Sequence, residues 1–217
     1  MKTSEDELVT TADVAEVMAA IEAVDLEAPW VEAAPMLRPA LPRRRPLPPG
    51  TDDLPAQVYA PGIRATLGLD IGPAILFVNQ VQLTAWGVSA DLAFRRALSN
   101  ITGRVRRRKQ FALLHERIAG VPTVAFQSRE GWASSLLLLP DELAHVLGER
   151  NGLVLAPMRD LVMLLPLDAE PDLAHLILEE FAEADMNALE LPPFAFVEGR
   201  LSAAAGPSHS GRKPRMH

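Results

Sequence analysis

Several spacings in this chain bring together side chains that could do chemistry. In "LVLAPMRDLVMLLP", residues 153–166, Arg159 and Asp160 interrupt two apolar runs and could form a binding pair at the tip of a hairpin. The run "RVRRRK" places Arg104, Arg106, Arg107, Arg108 and Lys109 together, and clustered guanidinium groups can bind phosphates and release counterions. Glu142-Leu-Ala-His145 followed by Glu149, and Asp172-Leu-Ala-His175 followed by Glu179, each set a carboxylate, an imidazole and a second carboxylate on one helix face. Such trios could ligate a metal. Acids at helix N-termini beside half-exposed histidines are the simpler reading, and no metal is expected. Ser134 and Ser135 stand in an apolar run and would be nucleophiles only with a base beside them.

The other chemical spellings are poor. His115-Glu116 lacks the second histidine of a zinc-protease motif. "GLDIGP", residues 68–73, has the glycines of a phosphate loop without its lysine, and Gly-x-Ser-x-Gly does not occur. The chain has no cysteine, which removes disulfides, thiol catalysis and zinc–thiolate sites together. No aromatic residue lies within the basic run to stack on bases, and the whole chain carries a net charge of −7. The function expected from these residues is protein binding or an adaptor role without catalysis, and no cofactor is expected. A hydrolase-type site near Arg159 and Asp160 and nucleic-acid binding through residues 104–109 are the alternatives. The hydrolase would need Arg159, Asp160, Ser134 and His145 to converge.

Elements must hold these residues in place. Of 217 residues 48% are hydrophobic and 23% charged, as in ordinary globular proteins. The first residues, "MKTSEDELVTTADVAEV", lack the layout of a signal peptide, and no apolar run is long enough to span a bilayer. A soluble bacterial protein of the cytoplasm is expected. Ser4 and Glu7 spell a capping box, and Val14, Val17, Met18 and Ile21 follow as one apolar stripe. Residues 1–27 thus read as an acidic amphipathic helix, the expected docking element for a protein partner.

Residues 28–56 hold eight of the chain's 19 prolines by Pro55 and read as a linker, a second possible partner-binding arm. An α+β domain is expected over 57–200, with a central, mostly antiparallel sheet. "ATLGLDI", "AILFVN", "VPTVAFQ", "GLVLAP", "LVMLLP" and "FAFVEG" supply its strands. "QVQLTAWG" reads as a short helix stopped by Gly87, Ser89 can cap the next, Pro140 opens one that runs to Gly148, and "EPDLAHLILEEFAEADMNAL" is a further long helix. "ITGRVRRRKQ", residues 101–110, reads as a basic connection, "WASSLLLL" as a strand or buried helix, and 201–217 as a disordered tail.

Three phrases, in order, resemble the YtpQ-like family of uncharacterised bacterial proteins. They are "FVNQVQLTAWGVSADLAFRRALSNI" (77–101), "WASSLLLLPDEL" (132–143) and "LVLAPMRDLVMLL" (153–165). In the last, Pro157, Arg159, Asp160 and Leu161 match the family's phrase. The resemblance spans roughly residues 65–185. It implies a compact α+β domain and brings no activity or catalytic residue with it.

Overall fold

A computed structural model describes residues 11–25, 27–42, 53–60, 62–72, 74–108, 111–128, 130–148, 150–184 and 188–204. Helices and antiparallel sheets share the chain, which is an α+β fold, with two sheets where one was expected.

The smaller sheet is built from β1 (Leu37–Ala40), β2 (Ala56–Ala60), β3 (Ile63–Asp70) and β4 (Ile75–Phe77). Strand β3 lies between β1 on one edge and both β2 and β4 on the other. The larger sheet runs in the order β10-β9-β7-β8-β6-β5. Its strands are β5 (Leu113–Ile118), β6 (Val121–Gln127), β7 (Gly152–Met158), β8 (Leu161–Leu165), β9 (Phe194–Val197) and β10 (Arg200–Ala203). Every ladder in it is antiparallel among the described residues.

Side chains alternate across a strand, and both faces of the large sheet are covered. Val154, Ala156, Val162 and Leu164 point into a core shared with Leu67 and Leu69 of β3 and with the helices α4 (Ala90–Arg107) and α5 (Pro140–Leu147). Leu153, Leu155, Met163 and Leu165 point the other way, beneath α6 (Pro171–Ala184). Two apolar faces on one strand give an unbroken apolar run, which is why 153–156 and 161–165 carry no polar residue.

The helix signals act as their spelling predicts. Asn79 Oδ1 accepts a hydrogen bond from the Gln82 amide at 2.8 Å and opens α3 (Gln80–Ala85), and Ser89 Oγ accepts from the Leu92 amide at 3.3 Å and opens α4. Phe94, Ala97, Ile101 and Val105 form the buried stripe of α4. Burying a side chain the size of Phe94 or Ile101 contributes about 1.5–3 kcal/mol. Gly148 ends α5 in the left-handed region at φ 73°.

Three sequence expectations need correction. The linker expected over 28–56 is part of the fold between residues 28 and 42. There α2 (Trp30–Ala33) and a 3-10 turn (Ala34–Met36) lead into β1, whose four residues are all buried. Asn100 Nδ2 donates to the carbonyls of Ala34 and Leu37 at 2.9 and 2.8 Å, and Trp86 Nε1 donates to that of Ala28 at 2.9 Å. Proline is tolerated because β1 is an edge strand, paired with β3 alone among the described residues. Residues 43–52 lie outside the described residues.

The connection expected over 101–110 is instead the last two turns of α4 as far as Arg107. "WASSLLLL" takes the second of its two expected forms, a buried helix. Its Ala133–Leu138 forms a 3-10 helix, buried throughout. The tail expected from 201 begins with strand β10, and 205–217 lie outside the described residues. The N-terminal helix is α1 (Thr11–Glu22); the Ser4–Glu7 capping box lies outside the described residues.

Candidate functional site

The sequence-derived candidates gather around one loop, residues 128–132, and the structure engages most of them there. Arg159 and Asp160 are the two turn residues between β7 and β8, where Met158 pairs with Leu161. The Arg159 carbonyl accepts from the Ser134 amide at 3.1 Å and from Ser134 Oγ at 2.9 Å. The Asp160 carbonyl accepts from the Ser128 amide at 2.9 Å, and Asp160 Oδ2 accepts from Gln127 Nε2 at 3.1 Å. The Arg159 guanidinium lies on Gly131, where a Cβ would come within 2.8 Å of Nε. Gly131 also has φ 68°, so glycine suits both the backbone and the contact. Ser128 Oγ accepts from the Trp132 and Ala133 amides at 2.9 and 3.2 Å and opens the 3-10 helix. This hairpin tip clamps the loop that precedes that helix.

The basic run meets the same loop from α4. Arg104 Nη2 lies 3.0 Å from Asp70 Oδ2, and its Nη1 lies 3.6 Å from Glu130 Oε2. Arg108 Nη2 donates to Glu130 Oε1 at 2.8 Å, and its guanidinium carbon stands 5.3 Å from the centroid of the buried Trp132 ring. Arg106 donates to Glu142 Oε1 at 2.9 Å. Arg107 is exposed, and Lys109 lies outside the described residues. Helical spacing explains the division: Arg104 and Arg108, four apart, share the face toward the loop.

A residue not singled out by the sequence completes the network. Arg38 of β1, 1% exposed, donates from Nη1 to the carbonyls of Glu130 and Gly131 at 3.0 and 3.2 Å and stands 3.4 Å from Asp70 Oδ2. Asp70 thus sits between two guanidinium groups at the end of β3. The available signal was an aspartate within the apolar "LGLDIG" and an arginine within "MLRPAL". A charge set among apolar neighbours in a strand is expected to have a buried partner.

Of the residues a hydrolase-type site would need, Ser134 and Arg159 line one small cavity, and His145 is not in that lining. His145 stands edge-on to Phe111 with ring centroids 5.8 Å apart, on the α5 side of the core. Ser134, Ser135 and Arg159 border a cavity of about 10 Å3, at the lower limit for one water molecule. The Ser134 hydroxyl is already spent on the Arg159 carbonyl. Glu142 is buried against Arg106, and no group of three His, Asp or Glu able to hold a metal occurs among the described residues.

Helix α1 differs from the other long helices. None of its described side chains joins either apolar core. Met18 is 50% exposed, with Val17 and Ile21 half-buried and Glu16 and Glu22 exposed. The chain becomes anchored again at Ala28, which is buried and bound by Trp86. No described helix is long and apolar enough to cross a membrane.

Comparison with protein families, curated proteins and solved structures finds no match to this chain.

Proposed function

We propose that this is a protein-binding module whose recognition element is α1. The observation that carries the reading is the Val17-Met18-Ile21 face, which belongs to neither core although every other long helix buries its apolar stripe. An amphipathic helix presented in this way fits the apolar groove of a partner, and Glu16 and Glu22 favour a groove with a basic rim. The resemblance to the YtpQ-like family is compatible with this reading and adds no chemistry to it. Binding of phosphates by residues 104–109 is less favoured, because Arg104, Arg106 and Arg108 are committed to Asp70, Glu130 and Glu142. The hydrolase alternative is less favoured too, because the cavity that Arg159 borders among the described residues holds only about 10 Å3.

The test keeps the chain whole, because removal of residues 1–55 would take away β1 and Arg38. Val17→Asp with Met18→Asp places charge on the apolar face without touching either core. Partners captured by the wild-type chain from its own host are expected to be lost by the double variant, with its thermal midpoint unchanged. Retention of the same partners at the same yield would remove α1 as the recognition element.

A further inference from the structure

A cleft of about 620 Å3 lies between the β5–β6 turn at Ala119 and Gly120 and the start of α6. Its floor is apolar, with Val121, Ala169 and Leu173, and Leu176 beside them is 56% exposed. Its rim carries Asp168, Glu170 and Asp172, all exposed. A single carboxylate such as Asp172 is enough to complement the positive end of α6. Among the described residues, no basic group pairs with any of the three.

A second cleft of about 230 Å3 adjoins the first and shares Ala169 with it. Leu153, Leu167, Ala195, Ala203 and Ala204 line this smaller, mostly apolar space. Ala204 is the last described residue and lines this second cleft, so the segment that follows is tethered at its wall. The next residues, 205–217, read "AGPSHSGRKPRMH", with Arg212, Lys213 and Arg215 and no acid.

We infer that the basic segment 205–217 of the same chain occupies the acid-rimmed cleft beside α6. Charge complementarity selects the occupant, and attachment at Ala204 makes the cleft reachable. The eight residues from Ala204 to Arg212 span up to about 26 Å when extended. Pro214 and Met216 supply apolar surface for the floor, while the three cations face the three carboxylates. Exposed ion pairs of this kind are weak for a free peptide. A short tether raises the effective concentration to about the millimolar range, where weak pairs suffice.

Zero-length carbodiimide cross-linking of the full chain tests this. The chain has lysines only at 2, 109 and 213, so Lys213 is the one side-chain amine in the segment. Lys213 is expected to join Asp168, Glu170 or Asp172 within a single chain. The yield should fall several-fold in about 1 M salt, where the Debye length is about 3 Å. It should also fall several-fold in Arg212→Glu with Arg215→Glu, which leaves Lys213 in place. In that variant the backbone amide resonances of Val121 and Leu173 should move. Lys213 links scattered over other carboxylates, or formed only between two chains, would overturn the inference. So would the absence of a link together with unmoved Val121 and Leu173 resonances. Loss of partner capture on altering α1 has no bearing on this result, so the two proposals fail separately.

Discussion

Asp70→Asn is the substitution that probes the charge network most directly. Asp70 Oδ2 faces Arg38 at 3.4 Å and Arg104 at 3.0 Å, while Oδ1 accepts from the Gly72 amide at 3.2 Å. Asparagine fills the same space. If its oxygen keeps the Gly72 amide, its NH2 group confronts two guanidinium donors; if it turns, the Gly72 bond is lost. Removing one member of a buried ion pair costs about 3–5 kcal/mol. Arg38 retains two carbonyls, and Arg104, a quarter exposed, retains Glu130, so the lower end applies, about 3 kcal/mol. For a chain of this size that is a fall in thermal midpoint of about 6–12 °C. Glu130→Gln is the matched control: its side chain is 52% exposed, and such a pair is worth at most about 1 kcal/mol. Chemical denaturation followed by tryptophan fluorescence measures both. If Asp70→Asn destabilises the fold no more than Glu130→Gln does, the Arg38–Asp70–Arg104 arrangement does not hold the smaller sheet and α4 together.

Asn100→Ala removes the amide that ties residues 34–37 to α4 and leaves buried carbonyls without their donor, at a cost of about 1–3 kcal/mol. An unchanged denaturation midpoint would mean that this part of the expected linker is not docked. Tyr59 supplies a pH test, because it is the chain's only tyrosine. Burial, with a smaller contribution from Asp91, pushes its phenol from 10.0 up to about 12. Above pH 10 the unfolded chain releases this proton while the folded chain keeps it. Stability should therefore fall as pH rises from about 10 to about 12, having been unaffected below that window. Tyrosinate absorbance of the folded protein should show its midpoint near 12, and a midpoint near 10 would contradict the half-buried placement of the ring against Phe94.

Local signals read best where one element explains them. The cap at Ser89, the stop at Gly148 and the Arg159-Asp160 hairpin each depend on a few neighbouring residues, and all are found where the spelling puts them. Two misreadings share a different cause. The prolines of 28–42 argued for a linker, yet proline excludes only the centre of a sheet, and β1 lies on an edge. The charges of 101–108 argued for a solvated loop, yet Ile101 and Val105 continue the stripe of Phe94 and Ala97 at helical spacing, and the arginines leave from the other faces. In each case composition was given more weight than periodicity.

The site poses a harder problem than the fold. Whether a cluster of arginines is open to a phosphate depends on where its carboxylates lie, and these are distant in the chain. Asp70 lies 34 residues before Arg104 and 32 after Arg38, and Glu142 lies 36 after Arg106. No spacing rule spans such separations. A single-residue signal does: an acid flanked by strand-forming apolar residues, as in "LGLDIG", needs a counter-charge when it folds, and a nearby excess of arginine is where that counter-charge comes from. By the same reasoning the acids at 168, 170 and 172 differ from Asp70. They lie outside any strand and beside a cleft, so water satisfies them and no internal partner is required. Carboxylates of that kind keep their charge available for a ligand, whereas those inside apolar strands are committed to the fold.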